Sequence, residues 1–142
     1  VKNPVMGGIL AVVMLLLLGG CGSSEKTPPK AIEGSISREV LNEQALKEQF
    51  TFTVRNNTEK SQEAVFPSGK SYDYVLKKEG RKVEQYSENK RFSQSIRHIT
   101  IKPHKALNYQ AVFSDLPKGT YSLEFVWGAD RTVRASHTFT VK

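Results

Sequence analysis

Residues 121–127 read YSLEFVW: Tyr121, Leu123, Phe125 and Trp127 take every second place, with Ser122 and Glu124 between them until Val126 interrupts the polar row. Apolar side chains at a period of two place one face of a strand on a core and the other in water, the pattern of antiparallel sheets. The same rhythm runs outward in both directions. Phe50, Phe52 and Val54 alternate with Thr51, Thr53 and Arg55. Tyr109, Ala111 and Phe113 repeat it, and Val133, Ala135, Phe139 and Val141 alternate with Thr132, Arg134, Ser136, Thr138 and Thr140. Turn residues divide these runs: Asn56-Asn57, Pro67-Ser68-Gly69, Lys78-Glu79-Gly80, Pro103-His104-Lys105, Pro117-Lys118-Gly119 and Gly128-Ala129-Asp130. Lys78-Glu79-Gly80, between YDYVLK and KVEQY, reads as a hairpin turn. About seven to eight short strands with regular turn signals predict an all-β fold, an antiparallel β-sandwich. The stretch Arg38 to Glu48 is open to two readings, a short helix or a ragged first strand with its turn.

Strand register also predicts the core: Phe50, Phe52, Val54, Phe66, Tyr72, Tyr74, Leu76, Ile99, Ile101, Phe113, Tyr121, Leu123, Phe125, Trp127, Phe139 and Val141. The chain has 142 residues, enough for one domain. Its single cysteine excludes an internal disulfide framework and a Cys-rich zinc site. The formal charge is +7, from 21 Lys+Arg against 14 Asp+Glu, but the basic residues are scattered without a run. That is not the footprint of a nucleic-acid binder, and we expect no nucleic-acid partner. The charge serves solubility and attraction to anionic headgroups or wall polymers.

The N-terminus reads as a processing signal. Residues 9–18, ILAVVMLLLL, form an apolar run behind Lys2. Spanning a bilayer takes about 20 apolar residues, so the run has the length of a signal-peptide core instead. Leu18-Gly19-Gly20-Cys21 resembles the lipobox of bacterial lipoproteins. That resemblance implies a signal peptide over 1–20, cleavage between Gly20 and Cys21, and a diacylglycerol on the Cys21 thiol. Residues 21–34 would be the lipidated Cys and a polar tether, with GSSEKTPPKAIEG lacking any packing pattern. The domain would occupy 35–142, outside the cell membrane and held to it by the lipid.

Chemistry is sparse. The sequence has no GxSxG, HExxH or P-loop motif. His98, His104 and His137 lie apart without ligand spacing, so neither a metal nor another cofactor is expected, nor a catalytic residue. His137 falls on the apolar register of the last strand and reads as a ring packed at a sheet rim. The most unusual stretch is residues 65–94, VFPSGKSYDYVLKKEGRKVEQYSENKRFSQ, dense in aromatics and turn residues. Asp73 in strand register points away from Tyr72 and Tyr74. It reads either as a carboxylate capping backbone N–H groups or pairing with Lys or Arg, or as a contact in a binding face.

This stretch and its flanks resemble the BsuPI domain of the bacillary intracellular proteinase inhibitors. The family pattern runs V-x-N, then F-x-S-G-Q-x-Y/F-D-F/Y, a Gly hairpin, V-W-x-W-S, F-x-Q, I/L-x-P and a late G-x-Y. Matching positions are Val54 and Asn56, then Phe66, Ser68, Gly69, Tyr72, Asp73 and Tyr74, then Gly80, Val83, Ser87, Phe92, Gln94, Ile101, Pro103, Gly119 and Tyr121. The chain departs at Lys70, where the pattern has Gln, and at Glu84 and Tyr86, where it has Trp. If those aromatics pack, Tyr86 substitutes for one and Glu84 faces solvent. The resemblance implies an immunoglobulin-like sandwich that binds a protein partner and inhibits a subtilisin-type serine protease. The family's description is intracellular, against the export signal here. Candidate contact residues are Pro67, Ser68, Gly69, Lys70, Tyr72, Asp73, Tyr86 and His104, although ordinary turns account equally for the Pro67 and Pro103 loops. The alternative is an envelope module that binds wall polymer, sugar or a membrane partner without inhibiting anything.

Overall fold

A computed structural model describes residues 27–142 apart from Ala45. The proposed signal peptide, Gly20, Cys21 and the start of the tether lie outside the described residues. The described residues form nine strands and no helix: β1 (Ile32–Asn42), β2 (Lys47–Asn56), β3 (Gln62–Phe66), β4 (Tyr72–Lys78), β5 (Arg81–Gln85), β6 (Arg97–Ile101), β7 (Ala106–Ser114), β8 (Gly119–Trp127) and β9 (Arg134–Val141). They form three antiparallel sheets, ordered β1-β2-β7, β3-β6 and β5-β4-β8-β9. The three- and four-stranded sheets follow the immunoglobulin-like order, with the hairpin strands β4 and β5 beside β8 and β9. The stretch Arg38 to Glu48 is strand and turn, not helix. β1 runs antiparallel to β2 from Ile32↔Asn56 to Asn42↔Lys47, with an irregularity between Val40 and Asn42. β1 starts at Ile32, so Ile32 to Gly34, read from sequence as tether, are paired with β2.

The apolar faces of the two larger sheets meet in one core. Phe52 stacks on Phe125 at 5.1 Å between ring centroids, and Phe50 meets Phe139 at 4.8 Å. Of the expected core, Tyr72, Ile99 and Val141 are only partly buried: Tyr72 opens β4, Val141 closes β9, and Ile99 lies in the small two-stranded sheet. Ala64, Ala111 and Val133 join the core, together with one polar side chain, Asn56, which is fully buried. Asn56 Nδ2 donates to the carbonyls of Lys60 (2.7 Å) and Ile101 (2.9 Å), and its Oδ1 accepts from Thr58 N (2.9 Å) and Thr58 Oγ1 (2.7 Å). One side chain thereby ties the β2–β3 turn to the end of β6. At the β7–β8 corner the hydroxyl of buried Tyr121 donates to Pro117 O at 2.6 Å. A tyrosine bonded back to the chain a few residues upstream is a hallmark of immunoglobulin-like sandwiches.

Two glycines are required by geometry. A Cβ at Gly34 would come within 2.8 Å of the Phe52 ring and 3.3 Å of Arg134 O, so Gly34 lets β1 approach both β2 and the start of β9. Gly80 has φ +79° and follows Glu79 at φ 47°, two left-handed residues in a two-residue hairpin turn, as the sequence predicts. His137 lies against Phe50, 5.9 Å between ring centroids, at the rim of the sandwich.

Candidate functional site

A polar construction is built around Asp73, at the start of β4. Its Oδ1 accepts from the backbone N–H groups of Tyr74 and Ser87, both at 3.0 Å. Its Oδ2 accepts from Gln85 Nε2 (3.0 Å) and Ser87 Oγ (2.6 Å), with Lys70 Nζ at 3.7 Å. Burial would push this carboxyl up, but the hydrogen bonds from Ser87 and Gln85 and the charge of Lys70 outweigh it and hold the group below the usual carboxylate range. Asp73 thus satisfies the end of β5 and the chain leaving it. This is the capping role offered from sequence, with the Lys pairing beside it.

On the opposite face of β4 the rings stack. Tyr72 lies on Tyr86 at 4.5 Å and 15°, Tyr109 stands 4.9 Å from Tyr72, and Phe92 lies 6.1 Å from Tyr86. Lys90 Nζ caps Tyr86 at 4.0 Å from the ring centroid, within the reach of a cation–π contact. Burial raises the Tyr72 hydroxyl, and the neighbouring Tyr86 raises it further. Burial and the adjacent Glu84 push Tyr74 up to about 12. Tyr86 therefore packs where the family pattern has Trp. Glu84 is exposed, with its carboxylate accepting from Tyr74 OH at 3.3 Å.

The Pro67–Ser71 loop between β3 and β4 is held from three sides. Gly69 N donates to Ser93 O at 2.7 Å. Arg97, lying over the Phe66 ring, donates to Ser68 O (3.3 Å), Gly69 O (3.4 Å) and Ser71 Oγ (2.9 Å). Gly128 N donates to Ser71 O at 2.8 Å, and a Cβ on Gly128 would stand 2.3 Å from Lys70 O. Pro67 is exposed at the start of the loop, directly after β3. Beside the loop an open groove of about 590 Å³ runs over the outer face of the four-stranded sheet, with Val75 and Val126 in its floor and Lys70, Arg131 and Arg134 among its walls.

Pro67, Ser68, Gly69, Lys70, Tyr72, Asp73 and Tyr86 thus belong to one construction. His104 does not: it lies at φ 57° on the β6–β7 turn, its Nε2 2.7 Å from Glu59 Oε1 and its carbonyl accepting from Arg55. Sequence reasoning passed over Gln85, Arg97 and Gly128. Gly128 carried a turn signal, whereas Arg97 gave no sign that it would reach back to a loop some thirty residues earlier. Among the described residues no three His, Cys, Asp or Glu side chains are grouped as metal ligands would be.

The pattern of the family described as intracellular proteinase inhibitor, BsuPI, matches residues 35–132. The chain belongs to the BsuPI family. That span runs from inside β1 to the β8–β9 turn, so the Asp73 construction, the tyrosine stack and the pinned loop are all parts of the BsuPI domain. No curated protein matches the chain. Among solved structures, a sporulation control protein of Bacillus subtilis is 13% identical with a TM-score of 0.42, covering 80% of this chain and 49% of its own. A β-glucosidase of Kluyveromyces marxianus in complex with glucose is 12% identical with a TM-score of 0.41, covering 78% of this chain and 14% of its own. The BsuPI chain therefore spans about half of the first protein and a small part of the second.

Proposed function

We propose that this chain is a lipid-anchored, extracytoplasmic proteinase inhibitor. In this reading it is exported by its first 20 residues, held to the cell membrane through Cys21, and docks on a subtilisin-type serine protease. The observation that carries the docking reading is the Pro67–Ser71 loop, fixed by Arg97, Ser93 and Gly128 before any partner arrives. A protease cleft binds an extended segment, and a segment already ordered loses little entropy on binding, which is where tight inhibitors gain affinity. Membership in an inhibitor family supports the same reading. The Leu18-Gly19-Gly20-Cys21 segment supports the anchor.

Titration of residues 27–142 against subtilisin-type proteases at fixed enzyme tests the docking. Activity should fall to zero near one equivalent, with the inhibitor left uncleaved. Full activity beside an intact domain would refute inhibition and favour the envelope-binding alternative. The anchor is tested separately: Cys21→Ala should leave an uncleaved, unlabelled precursor, and lipid labelling of that variant would refute it.

A further inference from the structure

The outer edge of β7 carries no paired strand among the described residues. β7 pairs with β2 along its whole length, from Lys47↔Ser114 to Arg55↔Ala106. Among the described residues, Tyr72 OH donates to Gln110 O from outside the sheet, at a long 3.4 Å. A carbonyl retains a second lone pair beside such a bond. Unpaired strand edges recruit other strands, and proteins guard them with charge, proline or a bulge. β5, one of the two edge strands of the other large sheet, is guarded in this way: it reads RKVEQ, and its pairing with β4 is irregular beside Leu76 and Lys77, while the other edge strand, β9, carries charge at Arg134. β7 reads ALNYQAVFS, nine residues with no charge, no proline, no glycine and an unbroken register. Val112, on its outer face, is 45% exposed.

We propose that β7 is a self-association edge, pairing antiparallel with β7 of a second copy of this chain about a two-fold axis through Gln110. The result is a continuous six-stranded sheet in which each copy supplies β1, β2 and β7. Gln110 is the midpoint of the strand, so the pairing opposes position 110 to itself, 108 to 112, 106 to 114, 109 to 111 and 107 to 113. No pair sets like charges against each other, and every residue along the edge meets a neutral partner. A charged foreign strand would find no counter-charge along this edge, which favours a second copy as the occupant. The closed two-fold arrangement uses the same patch on both copies and leaves no new edge of the same kind. This inference is independent of protease binding.

Thiol trapping tests it in the full-length chain, solubilised in detergent and carrying Cys21→Ser so that only the introduced thiol reacts. Directly opposed residues of an antiparallel pair have Cα atoms about 4.5–5.5 Å apart. That lies inside the window of roughly 4.4–6.8 Å that a disulfide tolerates. On mild oxidation Gln110→Cys should run mostly as a homodimer on a non-reducing gel, and Lys82→Cys, on the guarded β5 edge, mostly as a monomer. Equal trapping at both positions, no trapping at 110, or capture of a different protein there would overturn the proposal. A second variant guards against misreading: Gln110→Lys in the otherwise unchanged chain sets like charges face to face. It should abolish the dimer in sedimentation while the thermal midpoint of the domain stays put. A dimer that survives this change would also overturn the proposal.

Discussion

Replacing Asn56 with Ala should be among the most damaging single changes away from the aromatic core. The side chain is fully buried and reaches three carbonyls, those of Lys60, Ile101 and Lys102, and both polar groups of Thr58. Thr58 and Lys60 lie toward the surface, where water can replace what they lose. Ile101 is buried, and its carbonyl would be left without its Asn56 donor. A neutral hydrogen bond contributes about 1 kcal/mol net, and a buried group left unsatisfied costs about 1–3 kcal/mol more. The sum expected is about 2–4 kcal/mol. For a domain of this size roughly 4 °C of midpoint accompanies each kcal/mol, which predicts a fall of about 8–16 °C. The single tryptophan, Trp127, is in the core and reports unfolding without a label. Urea titration of residues 27–142 should show the midpoint falling at constant slope. Asn57→Ala is the control: its side chain bonds Lys30 O and Glu33 at the surface, so it should cost less than about 1 kcal/mol. Equal effects from the two variants, or a loss under about 1 kcal/mol for Asn56→Ala, would refute the claim that Asn56 ties the two turns together.

Asp73 makes a prediction with a definite sign. Its folded-state carboxyl lies below the ordinary value of about 3.9, so the stability it supplies is fully present above that pH and is lost as pH falls through the folded value. The stability difference between the parent and Asp73→Asn, measured by urea unfolding, should be constant from pH 7 to about pH 5 and narrow below about pH 4. A difference that widens on acidification would refute the assignment. Gly128→Ala drives a Cβ into Lys70 O and threatens the bond to Ser71 O, so it should cost about 1–3 kcal/mol and displace the Pro67–Ser71 loop. If that loop is the docking element, inhibition should weaken in the folded variant, and unchanged inhibition would remove the loop from the interface.

Period-two runs carried most of the fold. YSLEFVW became β8, with Tyr121, Leu123, Phe125 and Trp127 buried in the order their spacing predicts. The Glu79-Gly80 hairpin was legible because two left-handed residues need that kind of sequence. Arg38 to Glu48 was ambiguous for a physical reason. The inward register of β1 there carries Arg38, which lies over the Phe139 ring and pairs with Glu48, so the rim of the core is closed by an ion pair where a hydrophobe would have shown the strand. Asn56 looked like a turn residue, and its burial depends on carbonyls more than forty residues away. The site was partly readable. Asp73 with Ser87, and Tyr72 with Tyr86, stood in one family pattern, whereas Arg97 and Gly128 act through backbone atoms of the loop, which leave no mark on its side-chain sequence.

The place where the chain enters the sandwich sets a stand-off distance. Thr27 to Lys30 lie beside Thr132 to Arg134, and Asn57 N donates to Ala31 O, so the N-terminal segment arrives at the end of the molecule that carries the β8–β9 turn and the Pro67–Ser71 loop. Five residues lie between Cys21 and Thr27, and six fully extended steps along the chain reach no more than about 20 Å. With the anchor proposed at Cys21, that end would hang over the lipid in a slot thinner than a typical protease is wide. A protease would have to come in sideways along the groove face, since the Asn42↔Lys47 end of the β1–β2 pair lies at the far end from the tether. The length of the tether, as much as any residue in the loop, would then select which enzymes fit.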